Sequence, residues 1–442
     1  MQSETQSSEL KQEITLYGLI MIAAGSCIGA GIFLTPSSIA TDLPFPRLII
    51  LAWIIGGIVA LTGALTFAEL GARFPKTGGV YVFLKEAYGN TTAFLYGWVT
   101  MTIITSGAIA ALGLGFAQYF NKLVGLSQDL NVIVGLFTII LLTTINIFGV
   151  KISELVASTL TTTKLIGIAI IVIIGTLLIP SEIPSVEFWA AETNSDFNLI
   201  KGFALALIGV LWSYGGWHHA SYVAGEVKNA KKIVPRAMII GASIVVVTYI
   251  LSNIAYHNLL SVEEIQTTHT VASDAVSKFH SSGGTLISLL IAISIFGTTS
   301  IFTMSAPRIY FAMAKDGLFF KSLAKINTSY KTPVNAILMQ SGIAIILLLF
   351  WQTFSNLITY VVFMDWVFMT LGAISIFIFR KRLGKSEGYQ TWGYPVIPLV
   401  FITISVAFII TTSIFKPLQT LGGIIVLVSG LLIFYFFNRR NQ

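Results

Sequence analysis

Residues 25–33 read GSCIGAGIF, with three glycines and a serine in its first seven positions. The stretch lies inside residues 14–39, which are otherwise apolar enough to cross a bilayer. A glycine in a helix interior costs about 1 kcal/mol relative to alanine. What that weakness provides decides the fold. One reading is packing, because Gly25 and Gly29 form a GxxxG pair that lets helices approach closely. A dinucleotide-binding loop is excluded by context. No strand precedes the glycines, and where an acid would follow about twenty residues on the chain reads RLIILAW.

A second interruption points further. The sixth apolar stretch contains LWSYGGWHHASY (211–222), with Gly215 and Gly216 adjacent in its middle. Two glycine-broken stretches five spans apart are expected where two five-helix repeats each begin with a discontinuous helix. Five is odd, so the second repeat must be inverted in the membrane. A broken helix in lipid is tolerated only where it lines a protein-enclosed or watery cavity. N–H groups at the start of a half-helix attract an anion, and carbonyls at the end of the preceding one attract a cation. A zwitterion supplies both charges a few ångströms apart.

The whole composition agrees with a membrane setting. Hydrophobic residues fill 55% of 442 positions and charged residues 10%, with a mean hydropathy of +0.84. No soluble chain of this length hides so much apolar surface. Twelve stretches are long enough to span, which takes about 20 residues: 14–39, 47–70, 91–121, 131–149, 156–179, 201–222, 237–259, 285–307, 333–352, 356–379, 395–415 and 418–437. Their length indicates helices, since barrel strands run to about 10 residues. The expected fold is an all-α membrane protein of 12 transmembrane helices, one transporter-type domain over 1–442. It divides into an N-terminal tail (1–13), a first repeat (14–179), a second, inverted repeat (201–379) and helices 11 and 12 (395–437).

Charge sets the orientation. With the N-terminus in the cytoplasm, twenty of the 26 Lys and Arg fall on the cytoplasmic side, five outside, and Lys164 within a span. That is the positive-inside pattern for cytoplasmic N- and C-termini in a cell membrane. Clusters at Lys228/Lys231/Lys232/Arg236 and Arg380/Lys381/Arg382/Lys385 carry much of the bias. The outer loops are acidic, notably at Glu182, Glu187, Glu192 and Asp196. The net charge of +7 is therefore a topology signal, and no nucleic-acid partner is needed to explain it. The opening MQSETQSSELKQE is polar and carries no signal peptide, so the first span is expected to be retained. A single cysteine, Cys27, leaves no intramolecular disulfide and no cysteine-rich metal site.

At its motifs the chain resembles the amino acid–polyamine–organocation transporter superfamily, and within it the L-amino-acid transporter type. GSCIGAGIFLTP (25–36) resembles the family's first-helix pattern. WSYGGWHHASYVAGEVKNAKKIVPRA (212–237) resembles its sixth helix and following loop. AELGARFPKTGGVYVFLKEAYG (68–89) and PRIYFAMAKDGLFFKSLAKIN with KTPVNAI (307–337) resemble its loops after helices two and eight. The resemblance implies the leucine-transporter fold. It implies that backbone amides around Ser26, Cys27, Ile28, Gly29, Ala30 and Gly31 hold a substrate carboxylate. Carbonyls near Gly25 and around Trp212, Ser213, Tyr214 and Gly215 would hold the amine, with Trp212 as a gate over the substrate. Animal relatives bond a partner glycoprotein through a cysteine between helices three and four. Here that loop reads NKLVGLSQDLN, so no disulfide-linked heavy subunit is expected.

Lys164, in TLTTTKLIGIAIIVIIG, lies about 12 Å into the fifth span. A charge at a helix centre costs roughly 2.5–3.5 kcal/mol on insertion scales. It is either a lysine snorkelling to the surface or a cation beside the first broken helix. The resemblance implies the second, since sodium-independent members carry a lysine where sodium-coupled relatives place an ion. Its expected partners are carbonyls from Gly25 to Ile28 and a hydroxyl of Thr298, Thr299 or Ser300. A permanently charged Lys164 suits an exchanger; one that sheds its proton suits proton symport.

No acid stands in helices one, three, six or eight near the expected site, which favours neutral substrates because a substrate cation would be buried unpaired. Asp365, in TYVVFMDWVFMT, is the acid that remains, either lining the pocket or pairing structurally. His218 and His219 point about 100° apart on a helix and make no two-histidine metal face. They are expected to line a cavity or bond a neighbouring helix. Where the family has Trp-Asn, this chain has Trp217-His218. Cys27 also departs from the family and faces either the substrate or a helix. No metal, cofactor or activated nucleophile is indicated, so the chain is not read as an enzyme. The expected function is sodium-independent transport of neutral L-amino acids across the cytoplasmic membrane by alternating access, as an exchanger. Proton-coupled symport is the alternative, and a non-transporting amino-acid sensor a second. The short end, RRNQ, argues against the sensor.

Overall fold

A computed structural model describes residues 12–148, 150–179, 197–268, 270–280 and 282–440. The acidic outer-loop residues Glu182, Glu187, Glu192 and Asp196 lie outside this set. In chain order the helices are α1 (Leu16–Cys27), α2 (Gly31–Asp42), α3 (Pro46–Arg73), α4 (Val80–Tyr88), α5 (Asn90–Val99), α6 (Thr105–Val124), α7 (Asn131–Ile147), α8 (Val150–Leu177), α9 (Leu199–Tyr214) and α10 (His219–Tyr222). They continue as α11 (Ala230–Leu259), α12 (Val262–Thr267), α13 (Val271–Phe279), α14 (Gly283–Ser305), α15 (Pro307–Lys315), α16 (Val334–Trp351), α17 (Phe354–Leu383), α18 (Val396–Phe415) and α19 (Pro417–Arg440). A single wide π-type turn at Thr100–Ile104 joins α5 to α6. Among the described residues there is no strand, only one parallel bridge between Ile14 and Val227.

Eleven helical segments are long and apolar enough to cross a membrane, and α9 is a shorter apolar helix. Each of the twelve expected spans overlaps one of these, most within a few residues, though the sixth ends eight residues early, the seventh begins seven early and the eighth runs eight longer. The sixth is the short one because its regular helix stops at Tyr214, just before the paired glycines. The segments do not share the interior equally. The windows over α1–α2 and α5–α6 are 89% and 83% buried, against 11% for α19. α1 packs on α8, α11 and α14, α2 on α9, and α3 on α11. Helices α18 and α19 lie against this inner group. Their exposed rows, such as Leu399, Ile410 and Ile414 on α18 and Leu418, Leu421, Ile425 and Leu432 on α19, are the apolar surface that a lipid-facing helix needs.

Buried charge is concentrated where the basic clusters of the sequence lie. Glu69 on α3 accepts from Arg73 at 2.8 Å, Arg380 at 2.6 Å and the Thr391 backbone N–H at 2.7 Å. Arg380 also stacks over the Tyr394 ring. Glu226 and Arg308 are each 0% exposed and share two bonds, of 2.8 and 3.2 Å, while Arg308 also donates to the Met304 carbonyl. Breaking one side of such a pair strands the other charge, at about 3–5 kcal/mol. Arg308→Met is therefore expected to lower the melting temperature in detergent sharply. Adding Glu226→Leu to it should recover much of the loss. A double variant no more stable than Arg308→Met would show that the pair is not the cause.

Candidate functional site

Helical bonding in the first span stops at Cys27 and resumes at Gly31. Ile28 N–H still reaches Ala24 O at 2.9 Å, but Gly29 N–H turns to Cys27 O at 2.8 Å. The N–H groups of Ala30, Gly31 and Ile32, at the start of α2, have no acceptor among the described residues. In the sixth span Gly215 N–H bonds Trp212 O at 3.1 Å, and the four-residue α10 begins only at His219. That leaves the Leu211 carbonyl without the donor that Gly215 would give it in a continuous helix.

The two interruptions touch. Ser26 Oγ lies 2.7 Å from the Gly216 carbonyl and 2.7 Å from the Ile22 carbonyl of its own helix, with one proton for the two. Gly216 has φ +126°, and a Cβ there would stand 2.7 Å from the Ser26 carbonyl carbon and oxygen, so only glycine fits. Tyr249 Oη on α11 lies 2.7 Å from Cys27 O and 3.1 Å from Ser213 O. One phenolic proton is thus shared between both breaks. The packing reading of Gly25 and Gly29 holds alongside: a Cβ on Gly25 would meet Thr161 Oγ1 at 2.2 Å, and one on Gly29 would meet Thr298 at 2.8 Å.

Lys164, from α8, is 1% exposed. Its Nζ donates to Gly25 O at 2.8 Å, Ile28 O at 2.5 Å and Thr298 Oγ1 at 2.8 Å. All three ammonium protons have an acceptor, which is what makes so deep a charge tolerable. The snorkelling alternative is set aside by these bonds. Of the three hydroxyls considered, Thr298 alone reaches the lysine. Thr299 Oγ1 donates to Ile295 O and Ser300 Oγ accepts from Asn146.

A cavity opens where the breaks meet. Ser26, Cys27, Gly29, Ala30 and Gly31 line one side; Leu211, Trp212, Gly215 and Gly216 line the other. Thr298 also lines it. Gly25, Ile28, Ser213 and Tyr214 do not: the first two carbonyls face Lys164, Ser213 Oγ lies 3.2 Å from Thr35 Oγ1, and Tyr214 Oη donates to Trp53 O at 3.1 Å. The Gly25 carbonyl, expected for the amine, is already shared by Lys164 and Thr298. Leu211 and Gly215, both lining the cavity, each carry a carbonyl to which no turn, loop or side-chain donor is bonded among the described residues. Trp212 has its ring edge-on to Phe354, 6.0 Å between centroids. Cys27 Sγ lies 3.4 Å from Ala23 O and 3.6 Å from Tyr214 O, so it serves the break as well as the wall.

The residues left open in the sequence all reach this cavity. His218, His219 and Asp365 line it. His219 Nδ1 is tied to Ser305 Oγ at 2.6 Å, whereas His218 Nδ1 and Asp365 Oδ1 are buried with no hydrogen-bond partner. Sequence reasoning missed Thr105, Tyr222 and Phe302 as lining residues, and Tyr249 as the bridge. The π-type turn that brings Ile104 and Thr105 to the wall leaves no mark in the residues themselves.

The amino acid permease family matches residues 14–436. The serine/threonine exchanger SteT of Bacillus subtilis is 35% identical over 444 residues, covering 99% of each chain. The human b(0,+)-type amino acid transporter 1 is 28% identical, over 98% of this chain and 89% of its own. The human cystine/glutamate transporter is 26% identical, over 97% and 86%. These relatives are transporters, not enzymes. The chain belongs to the amino acid permease family of the amino acid–polyamine–organocation superfamily, as a multi-pass membrane transporter.

Proposed function

We propose that this protein is a sodium-independent exchanger of neutral L-amino acids in the cytoplasmic membrane, with both termini in the cytoplasm. The observation that carries the reading is the Lys164 ammonium held by Gly25 O, Ile28 O and Thr298 Oγ1. A fixed cation at the end of α1 takes the place in which a coupling ion would act. With no ion to release, the return of the carrier depends on a second substrate. The free N–H groups opening α2 suit a substrate carboxylate, and the Leu211 carbonyl suits its amine. We read α1–α2 and α9–α10 as the discontinuous first helices of inverted repeats, 14–179 and 201–379, with α18 and α19 added outside them. Trp212 is the gate. The exchanger name of the Bacillus subtilis relative supports the exchange part of this reading, and the loop 121–131 holds no cysteine for a heavy subunit.

The test is uptake of a radiolabelled amino-acid mixture by proteoliposomes in choline buffer. Uptake is expected in amino-acid-loaded vesicles and not in empty ones, unchanged when sodium replaces choline. Uptake into empty vesicles under an inward proton gradient would replace exchange with proton symport. Binding without uptake in either would leave the sensor reading.

A further inference from the structure

The charged groups buried inside the helix bundle sort into sets. Glu69 is satisfied by Arg73 and Arg380, and Glu226 by Arg308. Two charges remain among the described residues, Lys164 and Asp365. Lys164 has every proton matched, as described above. Asp365 does not: it lines the cavity, and its buried Oδ1 has no partner. A carboxylate oxygen facing a cavity without a donor is costly unless a ligand supplies one.

His218 Nδ1 is in the same condition, also buried and on the same cavity. Nearby, the Tyr222 hydroxyl lies 2.6 Å from Tyr96 Oη, and the Tyr222 ring packs 5.4 Å from the His218 ring. Ser305 is used by His219. One acceptor, Asp365, and one group able to donate or accept, His218, are therefore left for an occupant.

We propose that Asp365 and His218 form a polar subsite for the substrate side chain, selecting neutral amino acids whose side chain donates a hydrogen bond, a hydroxyl or a carboxamide, over aliphatic ones of equal size. This deepens the exchange reading and rests on it. A hydroxyl donates to Asp365 and accepts from His218, closing both open positions at once. Charge balance favours a neutral substrate over a cationic one. Lys164 and Asp365 cancel, a zwitterion adds nothing, and an extra ammonium or guanidinium leaves one uncompensated charge in a low-dielectric interior. An aliphatic side chain covers both groups without bonding either, which is the stronger form of rejection.

Threonine and valine differ by a hydroxyl for a methyl at nearly the same shape, so their ratio isolates the subsite. Counterflow of each is measured in loaded proteoliposomes, with lysine as a third substrate. The wild-type protein is expected to favour threonine over valine by about ten- to a hundredfold, the range for a hydrogen bond to a charged group. Asp365→Leu and His218→Phe should bring the ratio towards one, and the near-isosteric Asp365→Asn to an intermediate value. The same ratio is read by competition binding to detergent-purified protein, so a variant that binds but does not cycle still reports. A wild-type ratio near one, or a ratio unmoved in Asp365→Leu and Asp365→Asn, overturns the subsite while leaving exchange intact. Lysine outpacing threonine in an Asp365-dependent way overturns it in favour of a cationic side chain. Absence of counterflow for every amino acid overturns the exchange reading itself.

Discussion

Lys164→Ala is expected to reduce exchange by at least about a hundredfold. The ammonium makes three short bonds, two to main-chain carbonyls that a continuous helix would have satisfied for itself. Thr298 Oγ1 has a single proton and lies within 2.9 Å of both carbonyls, so once the lysine is gone it satisfies one of them and leaves the other, at best, the long 3.5 Å bond from Ser294 Oγ to Ile28 O. Losing bonds of this kind costs about 3 kcal/mol, and that much at a site that must be rebuilt in each cycle is about two decades in rate. Lys164→Met, which keeps most of the side-chain volume, should behave like the alanine variant if charge and bonding matter, and like the wild type if only packing does. Counterflow and apparent melting temperature are measured on the same purified preparations. Exchange within threefold of wild type in both variants would show that the ammonium is dispensable.

Gly216→Ala should be comparably severe for a different reason. An added methyl meets a φ of +126° that L-residues rarely adopt, and it meets the Ser26 main chain at 2.7 Å. The backbone term alone is of order 1–3 kcal/mol. The clash adds to it, because the opposing atoms are backbone and cannot turn aside. Gly317→Ala separates the two terms: φ there is +73° and no atom lies within 4 Å of the new methyl. That control should lose a little stability and no exchange. Gly216→Ala should lose substrate binding even where the protein remains monodisperse in detergent. Equal behaviour of the two variants would remove the close approach of the two breaks as the cause.

What could be read from the residues depended on how local each signal was. Span positions are set by runs of apolar side chains, so each of the twelve stretches overlaps an apolar helix, with ends that differ by up to eight residues. Glycines act on the backbone beside them, and α1 and α9 end near the glycines of the first and sixth stretches. A lone lysine in an apolar run is conspicuous for the same reason. Rotation of one helix against another is not local. Thr298, Thr299 and Ser300 follow one another at 100° per residue, and the neighbours of α14, not its sequence, decide which one meets Lys164. Asp365 could equally have turned to a partner in the bundle. Tyr249 stands 36 residues beyond Ser213 and 222 beyond Cys27, and nothing near it in the chain announces that it joins them. Thr105 on α6 and Phe302 on α14 were missed as cavity-lining residues on the same ground, with a π-type turn ahead of α6 adding a rotation that regular helix periodicity does not foresee.

Glu226 has one further consequence. Its side chain holds Arg308 at the start of α15, and its main-chain carbonyl accepts the N–H of Ile14, just ahead of α1, at 3.0 Å. Three stretches of chain, one from the amino terminus, one following α10 and one following α14, are therefore pinned at a single keystone. A movement of the Glu226 segment is therefore felt at both of the others, through its main chain at the start of the first span and through its side chain at the start of α15.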